Sequence, residues 1–190
     1  MNSDSKPRTL GTSLGPADHV VGPQSAHVVV IEYGDFECPI CAQAHQTTKI
    51  LLKHYGQRMR FAFRHFPLVA AHPHAELAAE ASEAAGAQQR FWPMYDKLFE
   101  NQQHLKEKAL RRYAEDIGLD MARYDAEMAD HLYLQRVQEH LASGRASGVR
   151  STPAFFVDGT LVDVSFGMER LSDALETHIR NLTPKRAGPR

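Results

Sequence analysis

Asp35-Phe36-Glu37-Cys38-Pro39-Ile40-Cys41 lies between the run His27-Val28-Val29-Val30-Ile31-Glu32-Tyr33 and a helical period that reaches Tyr55. The run is short, apolar and β-branched, which suits a central strand buried on both faces. After Pro39, the residues Ile40, Ala44, Thr47, Leu51 and Leu52 recur near one side of a helix, and Gly56 ends it. The two cysteines therefore stand at a strand-to-helix junction. Met59 to Phe66 alternates, with Phe61, Phe63 and His65 facing one way and Arg60 and Arg64 the other, as in a strand with one wetter face. Pro67 stops it. Strand, helix, strand is a βαβ unit with an expected right-handed crossover.

Outward from this unit, residues 1–22 are rich in Ser, Gly, Pro and Thr and read as a flexible arm that docks only near its end. From His74 to Ser143 the period becomes helical, through stripes such as Leu77-Ala78-Ala81-Ala84-Ala85, Phe91-Met94-Tyr95-Leu98-Phe99 and Leu110-Tyr113-Ala114-Ile117. Strand signals return at Ala154-Phe155-Phe156-Val157. Asp158-Gly159 is a hairpin turn, and Leu161 to Phe166 is the expected partner strand. A last helix spans Met168 to Arg180. The fold class is α/β. The expected division is a thioredoxin-like domain over 23–72 and 144–182, an inserted helical domain over 73–143, and a disordered tail over 183–190.

Composition narrows the function. The chain has 190 residues, 43% hydrophobic and 24% charged, with a net charge of -1. No overall field draws it to nucleic acid or an anionic membrane, and no apolar run is long enough to span a bilayer. The N-terminus lacks the apolar core of a signal peptide, so a cytoplasmic location is expected, or a periplasmic one if a leader has been removed. The only cysteines are Cys38 and Cys41. A loop of two intervening residues is a poor structural staple, because closing it removes little unfolded-state entropy. The pair reads as reactive. Most of the 11 histidines, including His65, His72 and His74, read as surface residues.

The CPIC motif after a strand, the segment Phe91-Trp92-Pro93-Met94-Tyr95-Asp96-Lys97-Leu98-Phe99-Glu100-Asn101, and Gly148-Val149-Arg150-Ser151-Thr152-Pro153-Ala154-Phe155-Phe156 together resemble the DsbA-like branch of the thioredoxin superfamily. The resemblance covers about Asp18 to Arg180. It implies a thioredoxin fold with an embedded helical domain, and a cis Pro153 facing the cysteines. It also implies an acidic residue beneath the active-site helix, at the place of Glu32. The chain departs from DsbA in having Pro39-Ile40, with no histidine, between its cysteines.

At a helix N-cap, Cys38 is close to unpaired backbone N–H groups and the positive end of the helix dipole, which favours the thiolate. Pro39 suits N1, where an N–H has no helical partner. Cys38 is the expected nucleophile and Cys41 the resolving thiol, with a redox-active Cys38–Cys41 disulfide and no other cofactor. Pro39, Ile40, Thr152 and Pro153 are the expected substrate-binding residues, Thr152 offering its backbone to an extended chain. Two readings of Glu32 stand side by side: a buried carboxyl that relays protons to and from Cys41, or a carboxylate that snorkels from the strand end or pairs with Arg60 or Arg64. Glu37 beside Cys38 reads as a solvated loop acid or a tuner of that thiol. The expected partners are protein or peptide thiols and disulfides and an unidentified redox recycling partner, with no nucleic acid and no membrane. Two rivals remain. One is a peptide-binding thioredoxin-fold module with idle thiols. The other is a metal protein using Cys38, Cys41 and His45, since two soft ligands alone do not make a closed zinc site.

Overall fold

The computed structural model describes residues 9–11 and 13–182. Its elements are β1 (His19–Val21), β2 (Val28–Gly34), α1 (Pro39–Tyr55), β3 (Met59–His65), α2 (Ala75–Gly86), α3 (Phe91–Glu100), α4 (Glu107–Asp116), α5 (Met121–Ala129), α6 (Leu134–Ala146), β4 (Ala154–Val157), β5 (Thr160–Val162) and α7 (Glu169–Leu182). One mixed sheet has the order β1-β3-β2-β4-β5. Its β2 and β3 run parallel, Val28 opposite Met59 and Gly34 opposite His65, while β2–β4 and β4–β5 are antiparallel. This is a thioredoxin fold, with helices α2 to α6 carried between β3 and β4.

The period of two along each strand splits the core into two layers. Val28, Val30, Phe61, Phe63, Phe155 and Val157 face Cys41, Ala44 and Leu51 of α1, the aromatic stripe of α3, and Leu171 and Leu175 of α7. Ile31, Tyr33, Ala62 and Phe156 face the other way, toward Leu141 of α6 and Val149. Glu32 therefore belongs to the α1 layer. Gly34 shares that face where the sheet meets the active-site loop, and a Cβ there would come within 2.3 Å of the Phe63 ring. The Asp158-Gly159 turn has φ of 45° and 80°, the left-handed pair that a two-residue hairpin needs. Strand β5 stops at Val162, short of the expected Phe166.

Two expectations are corrected, for one reason. Residues 9–11 and 13–22 are docked, not free: the Leu10 amide donates to the Gly159 carbonyl at 2.7 Å, the Gly11 amide to Ser147 Oγ at 2.9 Å, and His19–Val21 pair with β3 as an edge strand. The face of β3 read as wetter is covered, and Arg64 is 3% exposed. The Arg64 guanidinium donates to both carboxylate oxygens of Asp18 at 2.8 Å, to Tyr33 Oη and to the Ser13 carbonyl. A buried guanidinium must be paired, and the segment before β1 supplies the partners. The remaining residues of the expected arm, and the expected tail over 183–190, lie outside the described residues.

Candidate active site

Asp35 builds the loop that presents the cysteines. It is 1% exposed, and its carboxylate accepts from the Glu37 amide, the Leu68 amide and His72 Nδ1, each at 2.8 Å. The Cys38 amide then donates to the Asp35 carbonyl at 3.2 Å, which turns the chain into α1. Glu37 accepts from the His74 amide at 2.7 Å and from His74 Nδ1 at 2.8 Å. The segment 68–74 is thus folded onto the active-site loop, and His72 and His74 are anchors rather than free surface histidines. Burial disfavours the His72 imidazolium, but Asp35 more than compensates and holds its pKa above the usual histidine range. From the other side, Gln102 Nε2 donates to the Phe36 carbonyl at 2.7 Å and the Cys38 carbonyl at 2.8 Å. Phe36 fills the space behind the loop against Phe63, Tyr95 and Phe99.

Cys38 occupies the N-cap of α1 and Pro39 its first turn. Both cysteines are free thiols, Cys38 6% exposed and Cys41 fully buried. Their fates diverge. A hydrogen bond from the Cys41 thiol, with help from Thr152 and the amides of Cys41 and Ile40, outweighs burial and pulls Cys38 down to about 5. Burial pushes the Cys41 thiol well above its ordinary value, reinforced by its hydrogen bond to Cys38 and by the nearby Glu32 carboxylate. One thiolate and one thiol is the division that nucleophile and resolving group require. The Cys38 thiol lies 3.5 Å from the Thr152 carbonyl, and the Thr152 hydroxyl has no other hydrogen-bond partner among the described residues, so it is available to the ionised sulfur. The Thr152–Pro153 peptide is cis. Pro39 and Ile40 are exposed beside the sulfur, Ile40 by 51%.

Glu32 is 0% exposed, and neither carboxyl oxygen has a hydrogen-bond partner among the described residues. Burial, and then the Cys38 thiolate, push its pKa up to about 8. The alternative pairing with Arg60 or Arg64 is not what the structure shows, since Arg64 is taken by Asp18. The Tyr95 hydroxyl and Thr48 Oγ1 are also buried without hydrogen-bond partners among the described residues. Tyr95 is driven upward by burial and then by the Glu32 charge, so the phenol and the carboxyl are electrostatic neighbours.

A family model described as Thioredoxin matches residues 15–177. The chain belongs to the thioredoxin family. Its fold is that of DsbA-like members of the superfamily. BdbD from Bacillus subtilis superimposes with a TM-score of 0.79 at 20% identity, over 92% of this chain and 100% of that one. A thioredoxin-like oxidoreductase from Silicibacter pomeroyi gives 0.77 at 24% identity, over 89% and 95% of the two chains. Alpha-DsbA1 from Wolbachia pipientis gives 0.72 at 19% identity, over 88% and 94%. Relatives closer in sequence carry a different name. The Na(+)/H(+) antiporter NhaA 1 of Salinispora arenicola is 44% identical over 83% of this chain, and the NhaA of Herminiimonas arsenicoxydans 40% identical over 92%. The chain spans about a quarter of the length of these relatives, 24% and 28%. Among the described residues, no helix is long and apolar enough to cross a membrane.

Within this thioredoxin-family site, Cys38, Cys41, Glu32, Thr152 and Pro153 converge between β2, α1 and β4. His45 does not join them as a metal ligand. It is buried under α1 with Nε2 2.7 Å from Asp96 Oδ1, which ties α1 to α3. Asp35, His72, Gln102 and Tyr95 were missed by sequence reasoning. Asp35 carried a signal, since an acid three residues before Cys38, with the amide two residues on within reach of its side chain, is an Asx-type organiser. Gln102 carried none, because its two acceptors are 66 and 64 residues away.

Proposed function

We propose that this chain exchanges disulfides with protein substrates, with Cys38 as nucleophile, Cys41 as resolving thiol and Glu32 as proton carrier. What supports the reading is the placement of Cys38 at the N-cap of α1, its thiol 3.5 Å from the Thr152 carbonyl before the cis Pro153, with Cys41 buried one helical turn away; hydrogen bonding favours the thiolate at Cys38 and burial the thiol at Cys41. In the reducing direction, the Cys38 thiolate attacks one sulfur of a substrate disulfide. That S–S bond breaks, and the departing substrate thiolate takes a proton from solvent. Cys41 then gives its proton to Glu32 and attacks the Cys38 sulfur, releasing the second substrate sulfur. Two electrons pass to the substrate, and the Cys38–Cys41 dithiol becomes a disulfide. Run backward, the same steps oxidise a substrate dithiol.

Glu32 is timed for this role. While Cys38 is a thiolate, its charge helps to keep the Glu32 carboxyl protonated. Formation of the mixed disulfide removes that charge, so Glu32 becomes the stronger acid and is freed to serve as a base when Cys41 must lose its proton. Exposed Ile40 and the Thr152 backbone beside Cys38 supply an apolar contact and a strand-like edge for an extended substrate segment. A stabilised thiolate favours the reduced protein, which makes the disulfide form an oxidant relative to thioredoxin. The recycling partner is a second dithiol or disulfide protein. The stretch shared with the antiporters is read as a thioredoxin-like portion of those proteins, and ion transport is not carried over to this chain.

Insulin reduction with dithiothreitol tests the reading. Wild type should accelerate precipitation of the insulin chains and Cys38→Ser should abolish the acceleration. Cys41→Ser should accumulate mixed disulfides that dithiothreitol releases. A wild-type protein without exchange activity that still binds peptides would favour a binding module with idle thiols. Stoichiometric zinc lost on Cys38→Ser would favour a metal protein.

A further inference from the structure

Beside the active-site loop, a groove of about 840 Å³ opens between that loop and α4. Its wall near the cysteines is Glu37 and Gln102. Glu37 precedes Cys38 in the chain, and Gln102 is hydrogen-bonded to the Cys38 carbonyl. Its far wall carries Lys106, Lys108, Arg111 and Arg112 within two turns of chain. The carboxylates lining the groove are Glu37 and Glu115, so four fixed positive charges meet two negative ones, a local excess of two in a chain whose net charge is -1. Glu37 is further occupied by His74, and Arg111 is paired with Asp125 at 2.9 Å. Lys106 and Lys108 are exposed and have no ion-pair partner among the described residues, and Arg112 lays its guanidinium over the Tyr113 ring, which orients the cation without neutralising it.

We propose that this groove holds an acidic segment of the substrate polypeptide, on one flank of the cysteine that reacts with Cys38. The inference rests on the exchange reading for its location and adds a substrate class to it. A substrate cysteine bonded to Cys38 places its flanking residues along the surface at about 3.3 Å per residue, so a few residues reach from the Glu37–Gln102 wall to the lysines. Polypeptide is favoured over nucleic acid because the groove borders a site that acts on sulfur. Charge of this kind, next to a reacting atom, raises encounter rates with an oppositely charged partner and is weakened by salt.

The test uses the full chain and three synthetic peptides that share one mixed-disulfide cysteine but carry flanks of four Asp/Glu, four Ser or four Lys. Thiol release gives kcat/KM at low and at 0.5 M salt, for wild type and for Lys106→Glu/Lys108→Glu/Arg112→Glu. Wild type should prefer the acidic over the Ser peptide about tenfold at low salt. Most of that preference should vanish at high salt, and it should disappear or invert in the triple variant while the Ser peptide reacts as before. Equal rates for acidic and Ser peptides in wild type, or an unchanged preference in the variant, would overturn the proposal. Fluorescence anisotropy of a cysteine-free acidic peptide separates this from failure of the exchange reading. Salt-sensitive binding that the variant loses supports the groove even if no peptide is turned over, and no binding overturns it. Tighter binding of a single-stranded oligonucleotide than of the acidic peptide also overturns it. A milder Lys106→Ala/Lys108→Ala variant, expected to halve the logarithm of the preference, covers misfolding of the triple one; an unaltered preference there counts against the groove.

Discussion

Two glutamates are buried beside β3, and they experience opposite fates. Glu83 of α2, 6% exposed, accepts from His19 Nε2 at 2.9 Å and His65 Nε2 at 2.8 Å. Burial opposes its charge, but the two imidazoles win and hold it well below the usual carboxylate range. Glu32 of β2 is buried as completely and has no donor, so burial and the Cys38 thiolate carry it up to about 8. The difference teaches that burial alone does not set a carboxyl's protonation. The donors that surround it do. Around Glu83 the fold has spent histidines from β1 and β3 to fix a charge that locks elements together. Around Glu32 it has left a carboxyl without a donor among the described residues, next to the two thiols, as the proposed exchange requires.

The largest expected effect falls on activity. Glu32→Gln keeps the shape and removes the proton acceptor, so resolution of the mixed disulfide at pH 7 should slow on the order of 10²-fold, read by rapid-quench trapping. Attack by Cys38 on a small disulfide should change little. Next comes stability. Glu83→Ala leaves His19 and His65 without their shared acceptor and should cost about 3 kcal/mol in urea unfolding. Glu32→Leu should be neutral or stabilising, because it removes an unpaired buried carboxyl.

The two carboxyls should also impose opposite pH slopes. Glu83 ionises more readily folded than unfolded, so its contribution is present above pH 4.5 and is lost as pH falls below it. Glu32 is the reverse. The unfolded chain releases its proton near 4.5 and the folded one near 8, so stability falls as pH rises between those values. Unfolding free energies from pH 4.5 to 8 should flatten in Glu32→Gln, and carboxyl NMR titration should place Glu32 near 8 in the reduced protein. A smaller effect concerns space. Gly34→Ala pushes a methyl into the Phe63 ring and should cost about 1–3 kcal/mol, shifting the denaturation midpoint.

Much of the site was legible because it is local in sequence. The strand into Tyr33, the CPIC turn and the helix to Tyr55 are one continuous pattern, and Glu32 stood out as an acid at an apolar position. The period of two placed it with Val28 and Val30 on the face that α1 covers. What was not legible depends on distant partners. His65 reads as an ordinary strand-end histidine until Glu83, eighteen residues on, and His140, whose Nδ1 accepts the His65 amide, close around it. The edge strand His19–Val21 has only three residues and follows a Gly- and Pro-rich segment, so it lacks the length that periodicity needs. Arg64 promised a solvated face because its counter-ion, Asp18, lies 46 residues earlier. Charges that pair across the fold look the same in sequence as charges that face water.

The reduction potential of the Cys38–Cys41 couple tests the central claim most directly, by equilibrating the protein in glutathione buffers and counting free thiols by alkylation. A Cys38 thiolate stabilised to a pKa of about 5 predicts a potential clearly above thioredoxin's roughly −270 mV, toward the roughly −120 mV of DsbA. A potential at or below thioredoxin's, or two thiols that never form a disulfide, would contradict it.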